Sequence, residues 1–185
     1  MAIFELGIDD LCDFGISVIR PRSQCDNRGE LRISYEVDFR SDLYFNNKGV
    51  TKKISRSERF VFRGLHVQTS PHPQQKVTSV LRGSIVQVFA DLDITSRNFG
   101  NVLLSRISDR DEVSLLVPST FAHGFYALEE TLFEYLCLGS YSEKNEVSVN
   151  PEFLGFSMLL SEKDARGMAL ELLLSKIRRS SLVIR

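Results

Sequence analysis

The sequence has few of the features that mark a secreted, zinc-binding or membrane-embedded chain. It has only three cysteines, which lie far apart and form no C-x-x-C pair. Neither a disulfide framework nor a zinc site is indicated, and we expect reduced, mostly buried thiols. No apolar run approaches the ~18 residues of a membrane span, and no basic segment followed by an apolar one opens the chain. These absences predict a soluble, cytoplasmic protein.

A bias in charge is also absent. The formal net charge is -1, with 25% charged residues, so nothing favours binding to nucleic acid or to a membrane surface. Internal repeats, low-complexity tracts and Pro/Gly-rich linkers are missing as well. Because one domain usually has ~100–200 residues, we predict a single domain over residues 1–185. A hydrophobic fraction of 43% with 13 Phe supports a sizeable core.

The middle of the chain has the pattern of a β protein. Short β-rich runs separated by turn residues are typical of an antiparallel sandwich or barrel. The runs at 77–82 and 85–92, joined by Gly83-Ser84, predict a hairpin. Further strands are predicted at 16–19, 59–62, 101–107, 113–117, 124–128 and 131–138, the second of these ending at an Arg63-Gly64 turn.

The two ends of the chain have a different character. Residues 3–11 predict a short turn or helix, and residues 40–58 are polar and fit no element clearly. Near the C terminus, Ser161 precedes acidic residues and a leucine-rich segment, which is typical of a capped helix start. We therefore predict one C-terminal helix at about 161–178.

Two of the three histidines, His66 and His123, lie in short apolar segments marked by glycine, which suggests an enclosed pocket. If the chain turns after residue 62, Arg63, His66 and Lys76 can converge at one end of a barrel. Two cations beside an imidazole favour an anionic ligand or a developing oxyanion. The spacing alone is equally compatible with a hydrogen-bonded core histidine and two solvated cations.

A metal site is a weak alternative. Metal-binding barrels usually supply an H-x-H pair and a carboxylate, whereas Val67 and Gln68 follow His66. The third histidine, His72, lies between two prolines in a predicted loop, where solvent exposure is the expected state. We predict no metal.

Several motifs occur together in the order seen in one enzyme family, and the chain resembles the dTDP-4-dehydrorhamnose 3,5-epimerases from about residue 16 to 166. The resemblance implies a mainly β, cupin-type antiparallel jelly roll with short N- and C-terminal helices, usually a homodimer. It also implies an isomerase that acts without metal or organic cofactor on a nucleotide-linked 4-keto-6-deoxyhexose in bacterial deoxysugar biosynthesis. The matching segments are Phe62–Gln68, Gln75-Lys76, Asp91-Leu92, Ser96 with Asn98–Gly100, Ala122–Phe125 and Leu160–Asp164.

The resemblance also implies roles for individual residues. His66 matches the family's base, and Asp164 matches the carboxylate that orients it. Lys76 matches the cation near the C4 oxygen, and Tyr135 matches the phenol that returns a proton from the opposite face. Without the family, the preferred interpretation of Asp164 is a structural carboxylate at a helix N-terminus, and that of Tyr135 is a core aromatic. Predicted substrate contacts are Arg63, His123 and Tyr141, with Arg28, Glu146 and Lys163 more peripheral and Arg28 reaching a neighbouring subunit's site.

Three departures from the family pattern lie in regions that hold the nucleotide and the sugar. The Asp26–Gly29 turn is followed by Glu30–Ile33 in place of an aromatic pair and a glutamate. Gln87 stands where an aspartate is usual, and Thr51–Lys53 replaces a Gln-x-Asn segment. The nucleotide, which could be dTDP, CDP or GDP, and the sugar are therefore left open, whereas every position that carries proton chemistry is present.

The leading hypothesis is an epimerase that inverts C3, C5 or both. A mono-epimerase or a ketoisomerase of the same fold is the alternative within enzymes. A catalytically silent jelly roll that binds sugar nucleotides is the alternative from another class, although a binding module has no need of a base and an acid on opposite faces.

Overall fold

The computed structural model describes residues 1–34, 49–180 and 182–184. Strands are the principal secondary structure of this part of the chain, as predicted. Its strands are β1 (Ile3–Glu5), β2 (Ser17–Ile19), β3 (Arg22–Asp26), β4 (Gly29–Ile33), β5 (Val50–Ser57), β6 (Phe62–Gln68), β7 (Gln75–Arg82), β8 (Ser84–Asp91), β9 (Val102–Ser108), β10 (Ser114–Val117), β11 (Phe121–Ala127), β12 (Thr131–Leu138) and β13 (Glu146–Ser148).

Short helices connect or flank these strands. Two are α-helical, α1 (Glu162–Ala165) and α2 (Leu170–Arg178). Neither has the length or apolar character of a membrane-crossing segment, while the cytoplasmic location stays a prediction. The 3₁₀ helices lie at Asp9–Phe14, Asp109–Asp111, Glu143–Asn145 and Pro151–Leu154.

The strands form two principal sheets, which confirms the predicted jelly-roll architecture. One sheet has the order β1-β9-β8-β11-β6-β13 and the other the order β2-β10-β7-β12-β5. All pairings within them are antiparallel except that of β1 with β9. Strands β3 and β4 form a separate two-stranded hairpin.

Side chains alternate between the two faces of each sheet, because successive residues of a strand point in opposite directions. On β12, Phe133 packs in an apolar cluster with Ile85 and Phe125 from the six-stranded sheet, while its neighbour Glu134 binds Lys52 at 2.7 Å. The inner faces of the two sheets therefore enclose a core between them.

The outer face of the six-stranded sheet is covered by α2. The helix is amphipathic, and its buried residues recur at the spacing of one helical face. Leu65 and Val67 of β6 belong to the same apolar cluster as this helix, so the side chain between them, His66, projects to the inner face. The buried residues of α2 are Leu170, Leu173, Leu174 and Ile177.

The predicted hairpin at 77–92 is wrong. Its two strands lie in different sheets, because β7 pairs with β10 and β12 while β8 pairs with β9 and β11. Gly83, with φ +90°, carries the chain from one sheet to the other. The sequence pattern identified the strands correctly but could not show their partners.

The predicted strand at 59–62 is also misplaced. Phe60 has a positive φ of 71°, and β6 begins only at Phe62. Arg63 and Gly64 lie within β6 instead of ending a strand. At the N terminus, Ile3–Glu5 is a strand and the helical turn follows at Asp9–Phe14.

The single C-terminal helix predicted at 161–178 is in fact two helices. Between them, Met168 bridges to Val149 in parallel fashion, with its N–H donating to Ser148 O at 2.8 Å and its carbonyl accepting from Asn150 N–H at 3.0 Å. These backbone bonds interrupt the helix and fix α1 beside β13. The break is a tertiary effect, which the local leucine pattern does not show.

Two of the three cysteines differ from expectation. All three are free thiols, as predicted, but Cys12 and Cys25 are exposed and only Cys137 is buried. Cys12 lies in the N-terminal 3₁₀ helix and Cys25 in the β3–β4 hairpin, so both occur at the surface rather than in a principal sheet.

Candidate active site

Seven of the ten predicted site residues line a small cavity between the inner faces of the two sheets or an adjoining groove. The cavity has a volume of about 60 Å³ and opens beside a groove of about 410 Å³. Arg63, His66 and Tyr135 line both spaces. Lys76 and His123 line the cavity only, while Lys163 and Asp164 line the groove only.

Two glycines permit the close approach of strands β6 and β11 beside the cavity. Gly64 has φ +112°, and a Cβ there would lie 2.7 Å from both Gly124 Cα and His123 O. A Cβ at Gly124 would lie 2.6 Å from Arg63 O. The strand register shifts between His123 and Phe125. The glycines of the two histidine motifs thus set the spacing of the strands that carry both imidazoles.

His66 and Asp164 form a hydrogen-bonded pair between the cavity and the groove. His66 Nε2 lies 2.7 Å from Asp164 Oδ1. Burial would raise the pKa of Asp164, but the hydrogen bond and charge of His66 and the hydrogen bonds from Ser161 and Ser148 lower it below its ordinary value. The carboxylate is therefore ionised at neutral pH and can orient the imidazole and stabilise its protonated form.

Ser161 and Ser148 hold Asp164 in place, the first through its backbone and the second through its carboxylate. Ser161 caps α1, accepting a hydrogen bond from the Asp164 N–H at 3.1 Å, and Ser148 Oγ on β13 donates to Asp164 Oδ1 at 3.1 Å. The break before Met168 places α1 against β13. Asp164 is thus both a first-turn helix residue and the partner of His66, and the two readings of the sequence are compatible.

Lys76 lies on the inner face of β7. Its Nζ donates to the His66 carbonyl oxygen at 3.4 Å. Burial lowers the pKa of Lys76 from its ordinary value, with Cys137 and Glu146 opposing the shift and Lys53 adding to it. An oxyanion in the cavity would favour the protonated ammonium.

His123 is buried opposite His66 on the neighbouring strand. Its Nε2 lies 2.6 Å from Gln87 Oε1, and its ring stacks on Phe89 with centroids 5.2 Å apart. Burial, together with the nearby Lys76 and His66, lowers the pKa of His123 well below 6.5. The imidazole is therefore neutral at pH 7.

Tyr135 projects from β12, part of the sheet that faces the two histidines. Its phenol is protonated at neutral pH, because burial raises its pKa, with Cys137 adding to the rise and Arg63 opposing it. A protonated phenol can donate a proton into the cavity. His66 and Tyr135 line the same space from the two opposing sheets.

Arg63 is fixed by hydrogen bonds to β5. Its Nε donates to Ser57 Oγ at 2.9 Å and its guanidinium also donates to the Arg56 carbonyl oxygen at 3.1 Å. These are neutral partners, so the positive charge at the cavity wall is not cancelled by them.

A larger cavity of about 670 Å³ lies at the Gly83 turn. None of the predicted site residues lines it, and its charged groups include the mutually bound Arg82 and Glu130. Size alone does not make it the site, because the residues predicted to transfer protons lie together elsewhere.

Comparison with known proteins agrees with the motifs. The family model described as dTDP-4-dehydrorhamnose 3,5-epimerase matches residues 14–171. The chain belongs to this family. The expectation of an isomerase of the epimerase class, acting on a nucleotide-linked 4-keto-6-deoxyhexose, is confirmed at the level of the family.

Individual relatives cover most of the chain. The dTDP-4-dehydrorhamnose 3,5-epimerase of Shigella flexneri is 34% identical over 82% of this chain and 89% of its own length. That of Salmonella typhimurium is 31% identical over 92% and 96%. A Legionella pneumophila dTDP-6-deoxy-D-glucose-3,5-epimerase, solved in complex with dTDP-4-keto-L-rhamnose, superimposes with a TM-score of 0.71 at 30% identity, covering 85% of this chain and 89% of that one.

The peripheral contacts expected for an epimerase of this family form a second cluster. Glu146 accepts a hydrogen bond from the Tyr141 hydroxyl at 3.3 Å and binds the Lys163 ammonium. Burial would raise the pKa of Glu146, but the bond to Lys163 and the charges of His66 and Lys163 lower it. Tyr141 is 52% exposed, which places this cluster toward solvent.

Arg28 is not brought to the cavity of its own chain. It lies in the exposed β3–β4 hairpin, where its side chain is 85% exposed and binds Asp26 at 2.5 Å. It lines a separate shallow space on that hairpin. Its expected role in a neighbouring subunit's site stays a prediction.

Sequence reasoning missed part of the site. Phe125 and Phe133 line the cavity but resemble ordinary core aromatics. His72 is only partly exposed, its Nδ1 lying 3.2 Å from Ser140 Oγ. The side chain of Lys53 lies beside Tyr135, and its alternation with Lys52 would have been visible had residues 50–57 been assigned as a strand.

Among the residues that the structure describes, no three His, Cys, Asp or Glu side chains group as metal ligands would.

Proposed function

We propose that the cavity inverts both C3 and C5 of a dTDP-linked 4-keto-6-deoxyhexose by proton abstraction and return. The observation that carries this proposal is the pairing of His66 with Asp164 at 2.7 Å on one side of a cavity that Tyr135 lines from the other sheet. The named activity and ligand of the relatives support the reaction class and the nucleotide.

His66 serves as the base in this proposal. The hydrogens at C3 and C5 are acidified by the adjacent C4 carbonyl, and an imidazole can accept one of them at neutral pH. The hydrogen bond between its Nε2 and Asp164 leaves Nδ1 to receive the proton. The imidazolium that forms is stabilised by the ionised carboxylate.

Lys76 stabilises the enolate. Removing the proton places negative charge on the C4 oxygen, and an ammonium in a secluded site lowers the energy of that charge more than one in water does. The hydrogen bond to the His66 carbonyl ties Lys76 to the strand that carries the base, so the two groups act on neighbouring atoms of one substrate.

Tyr135 returns a proton from the opposite face. Its raised pKa keeps the phenol protonated until the enolate forms. The phenolate left behind lies near Arg63, whose charge opposes the rise in the tyrosine pKa. A proton returned from the face opposite His66 inverts the configuration of the carbon, whereas a proton returned by His66 restores the original configuration.

Deuterium exchange tests the proposal and separates its alternatives. The protein is incubated in deuterated water with dTDP-, CDP- and GDP-linked 4-keto-6-deoxyglucose, and the C3 and C5 protons are followed by NMR. We expect exchange at both carbons of the dTDP sugar. Exchange at one carbon identifies a mono-epimerase, movement of the carbonyl from C4 to C3 identifies a ketoisomerase, and binding with no exchange identifies a silent binding protein.

The His66→Ala variant is the control for the base. We expect its exchange rate to fall by about 10²–10⁴-fold, with dTDP affinity little changed. Full exchange in this variant would exclude His66 as the base.

A homodimer is part of the proposal. The β3–β4 hairpin forms its own small sheet and is almost wholly exposed, including Leu31 at 63%. An isolated two-stranded hairpin is at best marginally stable in water, so packing on a second copy would explain its persistence. Its tip carries Arg28 away from the cavity of its own chain.

Complementation between two inactive variants tests the dimer and the role of Arg28 together. Arg28→Ala and His66→Ala subunits are mixed under conditions that allow exchange. If Arg28 acts in the neighbouring subunit's site, a mixed dimer contains one site with both residues intact, and activity returns. A monomer in sedimentation velocity, or no recovery in mixed dimers, contradicts the proposal.

A further inference from the structure

The cavity and its opening have more positive charge than their own carboxylates neutralise. Asp164 is committed to His66 and Glu146 to Lys163. Arg63 and Lys76 bind neutral oxygen atoms. An additional cation, Lys53, projects to the same side of the five-stranded sheet as Tyr135. It stands in the Thr51–Lys53 segment that replaces the family's usual Gln-x-Asn.

Lys53 lies directly opposite Tyr135 in the β5–β12 pair. Its Nζ is 5.8 Å from the ring centroid of Tyr135 and 5.2 Å from that of Tyr141. Two aromatic faces hold the ammonium between a cavity residue and a half-exposed one. Lys53 therefore lies where the cavity meets solvent, outward from Lys76.

No carboxylate of the described residues is within ion-pair distance of the Lys53 ammonium. Burial lowers the pKa of Lys76 and raises that of Cys137, and the charge of Lys53 adds to the first shift and opposes the second. The ammonium groups of Lys53 and Lys76 therefore repel each other unless an anion lies between or beside them. The arrangement is that of a binding site for a ligand with more than one negative charge.

The adjacent Lys52 has a different environment, although it has the same side chain on the same strand. It projects to the outer face and binds Glu134 at 2.7 Å. The strand thus carries one lysine with a structural carboxylate partner and one without. The difference follows from the alternation of the strand and provides a matched control.

We propose that Lys53 is a substrate-binding residue that contacts the diphosphate of the nucleotide sugar. This inference rests on the proposed function for the identity of the ligand. The sugar carbonyl is the group nearest Lys76 inside the cavity, so the diphosphate is the anion that lies farther out, at the depth of Tyr141. A lysine also makes affinity dependent on ionic strength.

The test measures dTDP binding by calorimetry and steady-state kinetics with the 4-keto sugar for four proteins: the native chain and its Lys53→Gln, Lys53→Arg and Lys52→Gln variants. For Lys53→Gln we expect dTDP affinity to fall about tenfold and KM to rise about as much, with kcat within about twofold. Lys53→Arg retains most of the affinity. Lys52→Gln changes neither the dTDP affinity nor KM, although it lowers the midpoint of unfolding.

The outcomes separate this inference from the proposed function. Unchanged dTDP affinity in Lys53→Gln overturns the inference, and so does a loss confined to kcat, which would mean that Lys53 acts on Lys76 and not on the ligand. If the native protein binds dTDP through Lys53 yet exchanges no proton of any 4-keto sugar, the inference holds and the proposed function fails.

Discussion

His66 and His123 lie directly opposite each other on β6 and β11, yet each has a partner of a different charge. His66 binds the carboxylate of Asp164 at 2.7 Å, and His123 binds the amide of Gln87 at 2.6 Å. A carboxylate favours the imidazolium form, whereas a neutral amide and burial favour the neutral one. The two partners thus suit His66 to accepting a proton and His123 to remaining uncharged, which is the specialisation that we predict.

Replacing Asp164 by Asn tests the first half of this specialisation. The amide can still accept a hydrogen bond from His66 but no longer stabilises an imidazolium, so we expect kcat for deuterium exchange to fall about 10²–10⁴-fold. The dTDP affinity should change little. Ser148→Ala is the control, because it removes one hydrogen bond to the carboxylate and keeps its charge. An equal loss in both variants would argue against a role for the charge.

The same carboxylate predicts a loss of stability in acid. The pKa of Asp164 is lowered in the folded protein, so its contribution is fully present above the unfolded-state value of about 3.9. That contribution is lost as the pH falls through the folded-state value. Urea unfolding between pH 7 and pH 3 should show a steeper acid loss for the native chain than for Asp164→Asn. Parallel curves would contradict the assignment.

Replacing Gln87 by Glu tests the other part of the prediction, that His123 remains uncharged. A carboxylate beside Nε2 stabilises the imidazolium, so the pKa of His123 should rise. By NMR, the His123 ring of the native protein should show no protonation as the pH is lowered from 7 to about 6, whereas the variant ring should titrate. Thr78→Val removes the hydroxyl that accepts from the Gln87 amide at 3.3 Å and keeps position 87 uncharged. Titration of the native ring near pH 6.5 would sink the prediction.

Tyr135→Phe separates proton removal from proton return. The variant lacks the proposed acid but keeps His66, Asp164 and Lys76, so exchange with deuterated water should persist while inverted product falls by about 10²-fold or more. The deuterium exchange and the inverted product are both measured in one NMR time course. Tyr126→Phe is the control, since its hydroxyl donates to the Ser157 carbonyl at 3.1 Å and the residue lines neither the cavity nor the groove. Undiminished inversion in Tyr135→Phe would exclude the assigned acid.

The individual strands were largely predictable because their information is local. The strand predicted at 131–138 has those bounds in the structure. Its largely apolar run is bounded by Glu129-Glu130 on one side and Gly139 on the other. The pairing of 77–82 with 85–92 was wrong because the choice of sheet depends on distant partners. The break at Met168 likewise depends on Val149, 19 residues away.

The same difference between local and distant information applies to the candidate site. His66, Lys76, Tyr135 and Asp164 were identifiable through the family motifs, and the structure brings them to one cavity and groove. Lys53 was not, because a lysine in a polar segment carries no local signal of where its ammonium lies. Only the pairing of β5 with β12 places it over two tyrosine rings.

Gly64 is expected to be indispensable for packing at the site. Alanine there would need both a positive φ of +112° and a Cβ 2.7 Å from backbone atoms of His123 and Gly124. Gly155→Ala is the matched control, because Gly155 has φ +70° with nothing within 4 Å of the added Cβ. It isolates the conformational cost, about 1–2 kcal/mol. Gly64→Ala should cost about 1–3 kcal/mol more in the free energy of unfolding.

Urea unfolding of the two variants measures that difference, and exchange kinetics show whether it reaches the chemistry. Because the added methyl group forces β6 away from β11, it should displace His66 and lower kcat even where the protein remains folded. A misplacement of about 1 Å is enough to cost about 10²-fold in rate. Equal stability and full activity in both alanine variants would mean that β6 and β11 can separate without disturbing the base.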